Sequence, residues 1–304
     1  MRTHTVLGIG ELLWDCFGDA RKPGGAPANV AFHAAQLGDQ ALISSRVGRD
    51  EAGDELLDAL CKRGLSTAAI QRDAAHATGR VTVDTARKDR PAYTIPEDAA
   101  WDHIEWDDSL RRAAAQASAI CFGTLAQRSP VSRASIKRAL DVAERALLVY
   151  DVNLRPPWYD RVIIESSLRR CHVAKLNEDE AVALASLLDL GTEGVAGFAA
   201  ALRKRFGVEV VCVTRADKGC VAFSSGAHVD VPACQCEVVD AVGAGDAFSA
   251  ALIHGLLAQR PLGDAVGFAN QVGALVASHQ GAMPALREEF GRTISAWAKG
   301  SPAV

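Results

Sequence analysis

Val238-Val239-Asp240-Ala241-Val242-Gly243-Ala244-Gly245-Asp246-Ala247-Phe248 is the segment on which the reading of this chain turns. Small residues at 243, 244 and 245 let a ligand approach the backbone, and they open an Ala-rich helix over residues 243–257. The unpaired N–H groups and the dipole at such a helix start favour an anion. The segment is therefore a candidate anion hole for a transferring phosphoryl group. Asp246 stands in the first turn of that helix. A carboxylate there either accepts the proton of an attacking hydroxyl or only stabilises the helix N-terminus while the glycines make a tight turn; spacing leaves both readings open.

Outward from this segment, apolar runs alternate with helical stretches. Residues 5–10, 41–47, 119–122, 147–152, 172–176 and 209–214 read as strands, nearly continuous in apolar residues, as expected of parallel strands covered on both faces. The pattern predicts helices over 27–37, ended by Gly38, over 52–63, ended by Gly64, and over 132–146 and 178–188. Two further helices, 262–279 and 286–297, follow the one at 243–257. The alternation predicts an α/β fold, a doubly wound and mostly parallel central sheet with helices on both faces. All 304 residues are read as one domain.

Two regions break the rhythm. Residues 79–85 and 91–95 look like a hairpin turning at Arg87, Lys88 and Asp89, with no helix between its strands. Residues 11–25 also lack a helical pattern. The two pieces are expected to pair into a small sheet standing off the main sheet, as a lid over a site or as a decorative hairpin.

Composition narrows the function classes. With 49% hydrophobic residues and a formal net charge of -4, the chain can bury a large core and carries no long basic run, so a nucleic-acid partner is not expected. No secretory signal and no apolar run of about 18 residues is visible, which predicts a cytoplasmic protein without a membrane span. The eight cysteines sit mostly in apolar runs such as Ala119-Ile120-Cys121-Phe122 and read as buried free thiols. Cys234 and Cys236 lack the C-x-x-C spacing of zinc or redox sites.

Two more signals carry chemistry. In Gly24-Gly25-Ala26-Pro27-Ala28-Asn29, two glycines precede a helix with Pro27 at its start. Asn29 presents a donor and an acceptor, which suits a sugar hydroxyl, or it serves only a cap. The strand ends Asp151-Val152-Asn153-Leu154-Arg155 and Lys175-Leu176-Asn177-Glu178-Asp179-Glu180 lie where open α/β sheets bind ligands. Arg155 suits forked contacts to phosphate and Glu180 a water-mediated Mg2+; surface loop charge is the alternative. Gly8-Ile9-Gly10 is no dinucleotide fingerprint, because Leu13 stands where the third small residue belongs, and no P-loop is present.

Together these motifs resemble the ribokinase-like, or PfkB, carbohydrate kinases, over roughly residues 6–285. The family signature D-T-x-G-A-G-D is matched by Asp240 to Asp246, and its Gly-Gly pair ahead of an Asn-bearing helix by Gly24 to Asn29. Within the family the chain is most similar to the fructokinases, in Gly10-Glu11-Leu12-Leu13-Trp14-Asp15, in Gly24 to Asn29, in Ala100-Trp101-Asp102 and in Asp151 to Arg155.

The resemblance implies ATP-dependent transfer of a γ-phosphate to a sugar hydroxyl, fructose first. Asp246 would be the catalytic base, the backbone at Gly243, Ala244 and Gly245 the anion hole, and Arg155 a phosphate contact. Asp15, Gly25 and Asn29 would hold the sugar. Lys175, Asn177, Thr214, Ala216, Gly219 and Asn270 would serve the nucleotide side, Glu180 would place Mg2+ through water, and Asp240 would lie by a monovalent cation such as K+. Residues 11–24 and 78–98 would form the family's β lid and a homodimer contact. Ala241 replaces the signature Thr, removing a hydroxyl beside the cation site, and Ala216 replaces a common Gly in the nucleotide loop. Kinases of another sugar, a sugar acid or a nucleoside, and a non-catalytic sugar sensor, are the competing readings; the intact Asp246 and glycines speak against the sensor.

Overall fold

The first strand, β1 (Thr5–Ile9), lies at the point where the main sheet is wound in both directions. A computed structural model describes residues 3–84, 92–191 and 194–298, and the expected turn at Arg87, Lys88 and Asp89 lies outside them. From β1 the chain makes β2 (Leu13–Phe17) and β3 (Ala20–Gly24), then α1 (Ala26–Gln36), β4 (Gln40–Gly48), α2 (Glu51–Lys62) and β5 (Ile70–Asp73). After β6 (Gly79–Asp84) and β7 (Ala92–Thr94) come α3 (Asp108–Gln116), β8 (Ala119–Gly123), α4 (Pro130–Val142), β9 (Leu147–Asp151), α5 (Arg161–Leu168), β10 (Val173–Asn177), α6 (Glu178–Leu187), α7 (Gly194–Phe206) and β11 (Val210–Thr214). The chain continues with β12 (Cys220–Phe223), β13 (His228–Val231), α8 (Ala244–Leu257), α9 (Leu262–Ala277) and α10 (Arg287–Ala298).

The main sheet runs in the order β13-β12-β11-β10-β9-β8-β1-β4-β5. Its pairings from β5 to β11 are parallel, and only β12 and β13 join antiparallel at one edge. The chain leaves β1 toward β4 and returns to its other side at β8, so strand order reverses between β1 and β8. That is where an open α/β sheet presents a crevice at its strand C-termini.

Alternation along the strands explains why both faces are covered. Leu7, Ile120, Phe122, Leu148, Tyr150, Leu176 and Val213 point into a core shared with α3 to α7. Their neighbours Val6, Cys121, Val149, Val173 and Cys212 point into a second core with α1, α8, α9 and α10. Successive side chains leave a strand on opposite faces, so a strand buried on both must be apolar throughout. The cysteines are all free, as expected; Cys121, Cys171, Cys212 and Cys220 are buried, whereas Cys61 and Cys236 are exposed.

The two irregular regions do pair. A separate sheet has the order β3-β2-β6-β7, with β2 parallel to β6 and antiparallel pairs on either side. Some boundaries differ from the sequence expectation. Helix α4 starts at Pro130 and stops at Val142, because Ser129 caps it by accepting from the Val131 N–H (3.3 Å) and Pro130 sacrifices no bond in the first turn. Gly243 is the cap of α8, not its first residue, and takes a left-handed φ of 81°. Helix α9 stops at Ala277, two residues short of the expected end.

Candidate active site

A cavity of about 290 Å³ opens at the C-terminal ends of the parallel strands, beneath the small sheet. It is bounded by two helix starts, each built on a glycine. Gly25 takes φ 110°, and a Cβ there would lie 2.3 Å from the Glu11 carbonyl oxygen. Across from it, a Cβ on Gly243 would lie 2.6 Å from Ala282 Cα. Helices α2 to α6 are each closed by a side-chain cap, from Asp50, Asp107, Ser129, Asp160 and Asn177. Neither α1 nor α8 has one. Their first-turn N–H groups lack intrahelical partners by construction, so both helix starts offer positive potential to the cavity.

The structure joins the two signatures directly. Asn29 Nδ2 donates to Asp246 Oδ2 at 2.7 Å, across 217 residues of chain. Both side chains line the cavity, as do Asp15, Gly25, Arg155, Lys175, Asn177, Glu180, Thr214, Gly243 and Gly245. The other expected residues fall elsewhere. The Ala244 N–H turns back to the Ala241 carbonyl (3.3 Å), so of the three amides assigned to an anion hole this one faces its own loop. Gly219 and Asn270 gather around the segment after β13 instead, and Ala216 lies in the turn before Gly219, accepting from its N–H at 3.1 Å. A Cβ on Gly219 would meet Val231 O at 2.0 Å, and Asn270 Nδ2 donates to Pro232 O at 2.8 Å. Ala216 holds φ 48°, a conformation that explains why glycine is common at that position. Asp240 accepts from the Val242 N–H (3.0 Å) and the Gly281 N–H (2.9 Å), so its carboxylate ties two loops together behind Gly243.

Two side chains expected at the nucleotide or metal have structural partners. Lys175 Nζ donates to both oxygens of Asp151 at 3.2 and 3.1 Å, a buried ion pair to which Ser249 Oγ also donates at 2.8 Å. Glu180 Oε2 accepts from the Asn177 N–H (2.9 Å) while Asn177 Oδ1 accepts from the Glu180 N–H (2.8 Å), a capping box that starts α6. Its other oxygen accepts from the Leu154 N–H at 2.8 Å and so fixes the loop that carries Arg155.

The electrostatics are dominated by burial. Asp246 is pushed up to about 7 by desolvation and then by the Asp151 charge, against the opposing pull of Lys175, Asn29 and Arg155. Asp15 is pushed up to about 6 by desolvation, with Arg155 opposing. Burial alone would lower the Lys175 ammonium, but Asp151, Glu180 and Asp246 outweigh it and lift it to about 12. Sequence reasoning missed Glu11 as a site residue. It lines the cavity, its Oε2 is buried without a hydrogen-bond partner, and desolvation lifts its carboxyl to about 7. Asp151 and Asn153 were legible as polar strand-end residues but carried no role. Leu13, Val81 and Ile95 bring apolar surface from the small sheet and its flank.

A crevice at the switch point of a doubly wound sheet, with a raised carboxyl beside an uncapped helix start, is the equipment of an enzyme that moves phosphoryl groups onto small alcohols. The chain belongs to the pfkB family of carbohydrate kinases, whose family model matches residues 10–289. An uncharacterized sugar kinase of Pyrococcus horikoshii is 30% identical over 305 residues, which cover 93% of each chain. Its crystal structure gives a TM-score of 0.85 at 27% identity, covering 98% of this chain and 100% of that one, and a second structure of it contains ATP. Fructokinase-1 of Oryza sativa subsp. japonica is 30% identical over 319 residues, covering 95% of this chain and 96% of the rice protein. A double mutant of the Vibrio cholerae O395 fructokinase, with fructose, ADP and a potassium ion bound, shares the fold at a TM-score of 0.82 and 24% identity, covering 96% of this chain and 99% of that one. No helix among the described residues is long and apolar enough to cross a membrane.

Proposed function

We propose that this carbohydrate kinase transfers the γ-phosphate of ATP to a hydroxymethyl group of a hexose, with fructose the first candidate, and that Asp246 is the base. The observation that carries the reading is the 2.7 Å contact between Asn29 and Asp246 inside the cavity. The base is thereby held beside an amide suited to a sugar hydroxyl, at the tip of an uncapped helix. The sugar hydroxyl gives its proton to Asp246 as it attacks, and Asn29, Asp15 and the Gly25 backbone hold the sugar. The Gly243 and Gly245 backbone and Arg155 receive the charge of the transferring group.

The donor set fits a magnesium ion. Glu11, Asp15, Asp151, Glu180 and Asp246 line the cavity with Arg155 and Lys175 as the cationic lining side chains, and a triphosphate adds further negative charge. Glu180 has one backbone donor on each oxygen, which leaves a lone pair on each for a metal-bound water. When bound, Mg2+ would neutralise charge on the phosphates. A monovalent cation near Asp240 would depend on backbone carbonyls, since that carboxylate is occupied by two N–H groups and Ala241 has no hydroxyl.

The small sheet acts as a lid, with Val81 and Ile95 closing over the sugar and excluding water. The same sheet is the proposed contact of a homodimer, for which light scattering coupled to gel filtration is the measurement. ATP consumption screened over fructose, ribose, 2-keto-3-deoxygluconate, tagatose and adenosine tests the substrate. Preferred turnover of fructose is expected. A strong preference for another acceptor ends the fructose assignment, and tight sugar binding without any turnover turns the chain into a sensor.

A further inference from the structure

At the foot of the small sheet, outside the cavity, three side chains converge that the kinase reaction does not use. We propose that His76, Asp98 and His103 bind one divalent transition-metal ion of the zinc or cobalt kind. Each offers one ligand atom, and the three atoms lie within 4.8 Å of one another. Asp98 Oδ1 is 2.8 Å from His103 Nε2 and 3.7 Å from His76 Nε2. Two imidazoles and one carboxylate, completed by water, are a donor set that such ions accept.

The residues behind the cluster are arranged as support. His76 Nδ1 lies 3.0 Å from Asp73 Oδ2, so its ring proton is held there and the Nε2 lone pair faces Asp98. A buried carboxylate behind a ligand histidine is the usual outer partner of a metal site. Asp73 is itself fixed, accepting from the Ala75 and His76 N–H groups at 2.7 and 3.0 Å and pairing with Arg46 Nε at 2.6 Å. Local charge favours a cation: Asp98 of the cluster adds to Asp73 and Glu105, which share the one guanidinium of Arg46 at 2.6 and 2.8 Å.

The geometry also says what an ion must change. The His76 and His103 rings stack at 3.5 Å with an interplanar angle of 12°, so their lone pairs run side by side. Uptake must fan the rings apart until each nitrogen comes to about 2.0–2.1 Å of the ion. Asp98, with its side chain 73% exposed and its backbone at φ 60°, sits at the rim and follows. His76 precedes β6 while Asp98 and His103 follow β7, so an ion pins both stems of the small sheet to one another and, through Asp73, to β5.

The test is a Co2+ titration of the full chain after chelator treatment, read by visible absorption and confirmed by Zn2+ displacement. One ion per chain is expected, with ligand-field bands and without the intense charge-transfer band that thiolate from exposed Cys61 or Cys236 would add. His76→Ala and His103→Ala should each weaken binding at least about tenfold, and Asp73→Asn by about 10–100-fold. Circular dichroism melts report folding, and His103→Gln replaces any variant that fails to fold. Unchanged affinity in the His103 variants, a dominant thiolate band, or no uptake by millimolar Co2+ overturns the proposal. None of these readouts depends on kinase activity.

Discussion

Asp246 should set an acid limb in the pH dependence of kcat/KM, and the size of that limb follows from its surroundings. Desolvation and then the Asp151 charge lift the carboxyl from an ordinary 3.8 to about 7, a preference for the neutral form of about 4 kcal/mol. A base must be ionised to accept a proton. With a pKa near 7, roughly nine-tenths of the protein is competent at pH 8 and about one-tenth at pH 6, so kcat/KM should fall about tenfold between them and about tenfold more by pH 5. Asp246→Asn should lower kcat by at least about 10². The titration of ATP itself could imitate part of the limb, so a second variant is needed. Glu11 and Asp246 repel each other, and Glu11→Gln should therefore move the limb to lower pH, whereas a limb that belongs to the nucleotide stays in place. The assay is a coupled measurement of ADP release with a saturating and a limiting sugar from pH 5 to 9. A flat profile, or near-normal turnover by Asp246→Asn, refutes the assignment of the base.

Other outcomes follow from the same interactions. Glu11 has a folded-state pKa of about 7 against an ordinary 4.5, so its stability contribution is full below about 4.5 and lost as pH rises through about 7. Glu11→Gln should accordingly raise Tm at pH 8, by up to about 3 kcal/mol of stability, and leave it unchanged at pH 4; a lower Tm at pH 8 contradicts the burial argument. Lys175→Met leaves the Asp151 carboxylate buried without its cation, which should cost about 3–5 kcal/mol in a denaturant melt, and adding Asp151→Leu should recover most of it. An unaltered melt for the single variant shows that water reaches the pair. Ile95→Ala opens the apolar edge under the small sheet and should raise both the KM for sugar, by severalfold, and ATP consumption without sugar; unchanged values of both leave the sheet decorative.

What could be seen in the residues, and what could not, divides along physical lines. The parallel core was legible because burial on both faces forces continuous apolar runs. The antiparallel edge was not, because β12 and β13 have four residues each, too short for a period to register. The two helix starts were legible because Gly25 and Gly243 answer to backbone needs that only glycine meets cheaply, positive φ and absent Cβ. The capping box of Asn177 and Glu180 is readable from its N-x-x-E spacing alone, and the proposed water-mediated Mg2+ contact gives Glu180 a second use beside it. In Ala100-Trp101-Asp102 the acid is clamped by Arg128, at 2.8 and 2.7 Å, with the guanidinium over Trp101 at 4.1 Å. That makes the motif an anchor of the structure beside the cavity.

Glu11 shows why the remainder stayed hidden. A carboxylate just past a strand looks like any turn residue, and nothing local says that α1 will close over it. Its cost is tertiary: desolvation at a point where Asp246 is also buried and Arg155 is the nearby cation that lowers both. A fold selected only for stability would replace such a residue, since isolated buried charge is destabilising. Retaining raised carboxyls in one cavity makes sense when hydrogen-bond donors arrive with a ligand. On that argument the hydroxyls of the proposed sugar would supply the donors that the buried Glu11 oxygen lacks in the chain alone.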